Sequence, residues 1–525
     1  MSAPSIVGPK IQVDPDLPVP DSLVHMLYEA VRRVPEVTAV VYEDRTIDYR
    51  QFGRAVNGLS RLLASRGSGK GSRVVLMSPN TIEMDIALMA VMASGAQVAP
   101  VNPFFTVAEL KKVLKSIDAS AIVCDPAMLD KAQSAADELG ISTVVSLGEG
   151  GEAITQWTDD AALDYVPDEL PTIDDPALVI FTGGSTGVPK GVDHTHRGMI
   201  WSLLQHVSVW PLEYGKEIFL NVAPMFHIWG LGYATWVPIY TGGTLVMVPR
   251  YDADRVVSDL AKYRVSVFAG GPAPIYLGLL ASPEFADADL AALRYCPSGG
   301  APCPEDLHKE WLSKTGCPLL EGWGMSEGAP FCLNPYDGER RLLSVGNPVP
   351  GTTCEIVDLE TGETILPMGE IGELRVKGPQ MMKSYVNNAE ETAIALRHGY
   401  MYTGDIGRVD EDGFVYLVDR KKEMVIVGGF NVYPREVDEV LYNHPDIREA
   451  ATVGKPDDRL GEVIAAYVAL EPDSTLDEDA FFAYCKENLV KYKRPVQVTF
   501  IDALPRTGTN KINRLELRER ARDSG

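Results

Sequence analysis

Between Val179 and His196 the chain reads VIFTGGSTGVPKGVDHTH, a short apolar run followed by four glycines, a serine, three threonines and a lysine. That mix suits phosphate, because glycines free backbone N–H groups to form an anion-binding concavity while hydroxyls and Lys190 add donors. A mobile surface loop is the plainer reading of the same glycines. A Walker A loop is excluded: it needs Gly directly before the lysine and Ser or Thr directly after, whereas Pro189 precedes Lys190 and Gly191 follows it.

More residues able to do chemistry follow. APMFHIWGLG carries His227 and Trp229, EGWGMSE carries Trp323, Ser326 and Glu327, and YMYTGDIG carries Asp405. VDRKKEM carries Arg420 and Lys422, VGGFNVYP carries Gly428 and Gly429, and LPRTGTNKINR carries Lys511. Singly, each has a plainer reading: His227 as a core histidine, Glu327 as a helix-start carboxylate, Lys511 as a surface cation, the glycine pair as a two-residue turn between strands.

The elements that would position these residues alternate from Ser72 onward. The runs RVVLMSP, AQVAPVNP and ASAIVCD are separated by the helical patterns TIEMDIALMAVMASG and TVAELKKVLKSID, and the alternation resumes at EIFLNVAP, GGTLVMVP, VSVFAGG and CPLLEGWG. This predicts a large α/β region of parallel sheets with covering helices. TCEIVDLETGETILPMGEIGELRVKG reads instead as strands joined by tight turns, suited to a small antiparallel, barrel-like subdomain. A smaller α+β domain follows, with PREVDEVLYNH and LDEDAFFAYCKENL as amphipathic helices. The expected division is residues 1–420 and 421–525.

At 525 residues the chain exceeds one ordinary core. A net charge of −25 argues against nucleic acid or an anionic membrane surface as partner, since either needs a broad basic footprint. The longest apolar run, Ile86 to Val101, contains Gly95 and Pro100 and falls short of the roughly 20 residues of a membrane span. The start, MSAPSIVGPKIQVDPDLPVPDS, lacks the basic and apolar regions of a signal peptide, so a cytoplasmic setting is expected. Seven cysteines without a CxxC pair read as reduced, mostly buried thiols.

In this order the motifs resemble those of the adenylate-forming enzymes, which include acyl-CoA synthetases, beetle luciferases and the adenylation domains of nonribosomal peptide synthetases. The resemblance runs from TIDYRQF to NKINR and is nearest to the AMP-forming acyl-CoA synthetases. It implies an enzyme that joins a carboxylic acid to ATP as an acyl-adenylate, releasing pyrophosphate, and then passes the acyl group to coenzyme A with loss of AMP. Transfer to an amine or amino acid, and a non-catalytic nucleotide-binding regulator, are the competing readings. Monomer and homodimer are both compatible with the resemblance, as are aliphatic and aryl acids.

Carried onto this sequence, the resemblance implies that Thr182, Gly183, Gly184, Ser185, Thr186, Gly187 and Lys190 cradle the phosphates, while Glu327 and Thr186 hold Mg²⁺. The nucleotide is further held by Gly300, Ala301, Pro302, Glu321, Gly322 and Gly324, by Trp323 stacked on adenine, and by Ser326 at the α-phosphate. Asp405 accepts the ribose hydroxyls, as two carboxylate oxygens can. Arg420, His227 and Lys511 complete the catalytic set, with Lys511 bridging the acid and the α-phosphate, where charge develops. His227, Trp229, Gly271, Gly299 and Gly300 wall the acyl pocket. The same resemblance implies that Lys422 is the hinge about which the C-terminal domain turns, bringing Gly428 and Gly429 beside the pantetheine passage, where a missing Cβ leaves room.

Three positions depart from the family pattern: Gly183 stands where a hydroxyl is usual, Trp323 replaces Tyr, and Asn510 replaces Gly before the lysine. An aromatic face survives at the second. Asn tolerates left-handed backbone at the third.

Overall fold

The computed structural model describes residues 5–12, 14, 17, 19–148, 151–182, 189–301, 303–457, 459–472, 474–507 and 511–523. The chain divides into two compact units: Ile6–Cys354 with Val376–Met401, and Met1–Ser5, Glu355–Arg375 and Tyr402–Gly525.

In the larger unit, the expected alternation resolves into three sheets. One has seven strands in the order Ser384–Tyr385, Lys190–Thr195, Pro176–Thr182, Gln97–Pro100, Arg73–Met77, Ala121–Cys124, Thr143–Ser146. The last five run parallel, whereas Pro176–Thr182 and Lys190–Thr195 form an antiparallel pair that carries the glycine-rich segment between them. A second, five-stranded sheet is parallel apart from the edge pair Thr38–Tyr42 and Arg45–Asp48. In the third, Cys296–Gly299 runs parallel to Leu319–Met325, which turns back into Gly328–Leu333. Helix Ile82–Ala93 starts at Thr81, whose hydroxyl accepts the Met84 N–H at 3.1 Å, and its residues join a core shared with strands of the first two sheets. Parallel strands covered on both faces read as continuous apolar runs, which is why period alone could not say which strands are neighbours.

Most of Thr353–Val357, Gly372–Lys377 and Tyr400–Val409 and all of Val415–Arg420 belong to the smaller unit, and these strands neighbour one another in a sheet whose ends do not meet among the described residues. The barrel-like piece expected there is therefore an open sheet, because closure requires the two edge strands to pair. A second sheet is built on the long antiparallel pair Ile447–Asp457 and Gly461–Leu470. Along the latter strand Ile464, Ala466 and Val468 enter one core with Val437 and Phe481, while Ala465 and Tyr467 enter another with Leu504 and Leu517. The alternation of period two thus serves helices on both faces. Among the described residues no helix is long and apolar enough to cross a membrane. All seven cysteines are free and buried.

Asp85, inside the apolar helix Ile82–Ala93, is 0% exposed, and neither carboxylate oxygen has a hydrogen-bond partner among the described residues. Burial pushes its pKa up to about 8, so the folded protein holds the proton. A carboxyl whose folded value lies above its unfolded one stabilises fully below the unfolded value, near pH 4, and that contribution is lost as pH rises through the folded value. The slope reaches about 1.4 kcal/mol per pH unit. Asp85→Asn keeps the shape without the titration. Its melting temperature should gain on that of the parent protein from pH 5 to pH 8; a constant difference between the two would show that Asp85 does not titrate there.

Candidate active site

Strands Pro176–Thr182 and Lys190–Thr195 run antiparallel before and after the glycine-rich segment. Thr182 ends one strand, Lys190 begins the other, and the two are register partners; Gly183, Gly184, Ser185, Thr186 and Gly187 lie outside the described residues. The Lys190 ammonium pairs with Glu391 at 2.5 Å and lies 5.0 Å from the centre of the Tyr385 ring. Glu391 is held in the first turn of helix Ala389–Ala395, where the Asn388 side chain accepts its backbone N–H at 3.2 Å.

Strand Leu319–Met325 carries Glu321, Gly322, Trp323 and Gly324, and the turn after it carries Ser326 and Glu327. Gly322 and Gly324 are required by close approach: a Cβ would come within 2.5 Å of Leu333 Cδ2 at the first and within 2.8 Å of Ala329 at the second. Trp323 is buried, edge-on to Phe331 at 5.2 Å between ring centres. The Glu321 carboxylate accepts from His308 Nε2 at 2.9 Å. Glu327 is also buried; its backbone carbonyl accepts the Met382 N–H at 2.7 Å, and its Oε1 accepts the Tyr385 hydroxyl at 2.7 Å. Negative charge at Glu327 adds to burial in pushing the Tyr385 pKa well up, so the phenol keeps its proton and is the donor.

The turn is held from the hairpin as well. His194 Nε2 lies 2.7 Å from the Ser326 carbonyl, which can only accept, so Nε2 carries the proton. Burial lowers the His194 pKa, keeping the ring neutral. His194 and Tyr385 were not singled out by the motifs. His194 lies within the glycine-rich stretch, but nothing in its spacing points to Ser326.

Of the expected acyl-pocket residues, His227 and Trp229 lie at the start of a π-helical turn, whereas Gly271 follows a strand and Gly299 ends one. Trp229 opens the π-helical turn Trp229–Tyr233, donates its backbone N–H to His227 Nδ1 at 3.3 Å, and stacks on Tyr233 at 5.2 Å between ring centres. Gly271, at φ +89°, faces the indole: a Cβ there would lie 3.4 Å from Trp229 Nε1. The Gly271 carbonyl accepts the Gly299 N–H at 3.3 Å, and a Cβ on Gly299 would come within 2.9 Å of the Gly322 carbonyl. Gly300 follows at φ +80°, then Ala301; Pro302 lies outside the described residues.

In the smaller unit, Asp405 and Arg420 are register partners on antiparallel strands. Asp405 is buried, and its Oδ1 pairs with Arg420 Nε at 2.9 Å. The Lys511 carbonyl accepts the Thr507 N–H at 2.7 Å; Asn510 lies outside the described residues. Surrounding protein, and then the Arg420 guanidinium, lower the Lys511 pKa, while Asp405 raises it, so the three side chains share one field although Lys511 retains solvent exposure. Lys422 is exposed just past Arg420. Gly428 and Gly429, at φ +57° and +88°, form the two-residue turn joining Val425–Val427 to Phe430–Val432. Both positive angles are those of a type I′ hairpin.

The family model of the AMP-binding enzyme matches residues 27–386, and that of the AMP-binding enzyme C-terminal domain matches residues 436–511. The chain is 34% identical over 537 aligned positions to a long-chain-fatty-acid–CoA ligase of Bacillus subtilis (strain 168), covering 96% of this chain and 95% of the relative. It is 35% identical over 492 positions to a feruloyl-CoA synthase of an Amycolatopsis species, covering 93% and 97%. The solved structure of ATP-bound MatB from Rhodopseudomonas palustris is similar with a TM-score of 0.89 and 31% identity, over 95% of this chain and 99% of that one.

Proposed function

The chain belongs to the AMP-binding enzyme family, and on that premise we propose that it is an ATP-dependent, AMP-forming ligase that joins a carboxylic acid, fatty or aryl, to coenzyme A. The observation that carries this reading is the trio Asp405, Arg420 and Lys511: a buried carboxylate suited to ribose hydroxyls and paired with a guanidinium, and an amine whose pKa is lowered first by burial and then by Arg420, with Asp405 opposing.

In the first step a carboxylate oxygen of the acid attacks the α-phosphorus of ATP and pyrophosphate leaves. Lys511 lies between the two anions and offsets the charge that builds as they meet. Thr182 and Lys190 flank the phosphate cradle of Gly183 to Gly187, Trp323 with Gly322 and Gly324 receives the adenine, and Ser326 reaches the α-phosphate. In the second step the thiol sulfur attacks the acyl carbonyl and AMP leaves, with the thiol proton lost to solvent or base. His227, Trp229, Gly271, Gly299 and Gly300 surround the acyl group. Residues 421–525 turn about Lys422 between the steps, exchanging Lys511 for Gly428 and Gly429 beside the pantetheine arm.

Magnesium fits the residues present. Among the described residues Glu327 Oε2 receives no hydrogen bond, and no group of three or more His, Cys, Asp or Glu side chains could hold a metal by itself. One carboxylate, with Thr186 and the phosphates of ATP, is the oxygen set that Mg²⁺ prefers. When bound it neutralises triphosphate charge. The buried free thiols are in keeping with a cytoplasmic setting.

The test is pyrophosphate release with ATP and separate fatty and aryl acids, followed by product mass with coenzyme A. Release with either acid class and a thioester mass are expected. No release with any acid would remove the ligase reading, and an amide from an amino-acid arm without a thioester would replace thiol by amine.

A further inference from the structure

We infer that Tyr385 is a positioning residue for the metal carboxylate, fixing Glu327 through its phenol and tying it to the strand that leaves the phosphate cradle. The inference rests on the reading of Glu327 as the magnesium ligand.

Tyr385 is 7% exposed, and its place is set by four contacts of the main chain around it. Ser384–Tyr385 pairs antiparallel with Lys190–Thr195, Tyr385 opposite Val192. On either side, the Lys383 N–H reaches the Asp193 carbonyl and the Val386 N–H reaches the Gly191 carbonyl, both at 2.8 Å. The Tyr385 N–H itself donates to Thr392 Oγ1 at 3.0 Å. The backbone that carries the ring is therefore fixed to the strand that begins at Lys190, whose ammonium also lies over the ring.

From that ring the hydroxyl donates to Glu327 Oε1 at 2.7 Å, a charge-assisted bond between buried groups. One oxygen of the carboxylate is thereby engaged, and the other receives no hydrogen bond among the described residues. A buried carboxylate with one oxygen tethered presents the second in a single orientation, whereas without the tether it rotates and leaves Oε1 unsatisfied. The main chain of Glu327 is pinned to the same segment by the Met382 N–H, so the side-chain orientation is the freedom that the phenol removes. Partners of this kind behind a metal ligand are worth about 10–100-fold in metal affinity.

The experiment measures binding apart from turnover. Mn²⁺ in the presence of ATP is titrated by the loss of its free electron-paramagnetic signal, and metal-free ATP is titrated calorimetrically in EDTA. The proteins are the parent, Tyr385→Phe, Glu327→Gln and the double variant. Tyr385→Phe should weaken Mn²⁺ about tenfold, should weaken metal-free ATP far less, and should add nothing once Glu327 is Gln. Thr392→Val, which releases the Tyr385 main chain and leaves the phenol in place, should give the same selective loss at smaller size. It serves as the test variant if Tyr385→Phe does not fold. Undiminished Mn²⁺ affinity, equal loss of metal-free ATP, or a loss that persists in the Glu327→Gln background would overturn the inference. Undiminished Mn²⁺ binding in Glu327→Gln alone overturns the metal reading and this inference together. Normal selective Mn²⁺ loss in a protein that releases no pyrophosphate with any acid leaves the inference standing and removes the ligase.

Discussion

Lys511→Ala should lower the rate of acyl-adenylate formation by about 10²–10³-fold or more, the cost of removing one preorganised charge from a reacting centre, while sparing acyl transfer from a supplied acyl-adenylate. The half-reactions separate because Lys511 is needed where the carboxylate meets the α-phosphate and not where the thiol meets the carbonyl. Pyrophosphate release reports the first, and thioester formed from synthetic acyl-adenylate reports the second. Equal loss in both would remove the assigned role. The pH profile gives an independent check. Surrounding protein and then Arg420 lower the Lys511 pKa, so the charged amine is lost at a lower pH than for an ordinary lysine, and adenylation should decline on that alkaline limb. Lys511→Arg keeps a charge at all working pH values and should abolish the limb, whatever its effect on the maximal rate.

What the sequence made legible is what is encoded locally. Helices Ile82–Ala93 and Val107–Ser116 fall within the expected patterns because Thr81 and Thr106 cap them, and the second carries the reciprocal Thr106 and Glu109 capping box. Gly428 and Gly429 read as a turn because both positive backbone angles come free of cost in glycine. The glycine-rich stretch suggested phosphate chemistry but not its frame. Lys190–Thr195 is a strand only because Pro176–Thr182 and Ser384–Tyr385 pair on its two sides. The contacts that steady the turn at Ser326 and Glu327 come from that pairing, across 132 residues for His194 and 58 for Tyr385, and no local spacing encodes such a separation. Glu391 as the partner of Lys190 was hidden for the same reason. Assembly into three sheets was equally beyond a pattern that reports burial and not neighbours.

Gly429→Trp should leave acid-dependent pyrophosphate release nearly intact and cut thioester formation by about 10²-fold, the scale of misplacing a reacting group, if coenzyme A is the acceptor. Geometry dictates the control. At φ +88° any side chain strains the turn, so loss of activity in the Trp variant alone would not distinguish strain from obstruction. Among the described residues no atom lies within 4 Å of a Cβ built on Gly429, so Gly429→Ala bears the same backbone penalty without filling the passage. The turn belongs to a sheet whose other strands are longer and well paired, and the penalty should appear equally in the melting temperatures of both variants. The expected result is therefore a thioester rate that falls much further for Trp than for Ala, with pyrophosphate release similar in the two. Equal thioester rates would place the thiol's route elsewhere. A protein that makes amides from an offered amino acid, with little thioester even before mutation, would show that a small nucleophile arrives by another path, leaving the adenylation chemistry of Lys511 and Asp405 in place while changing the acceptor.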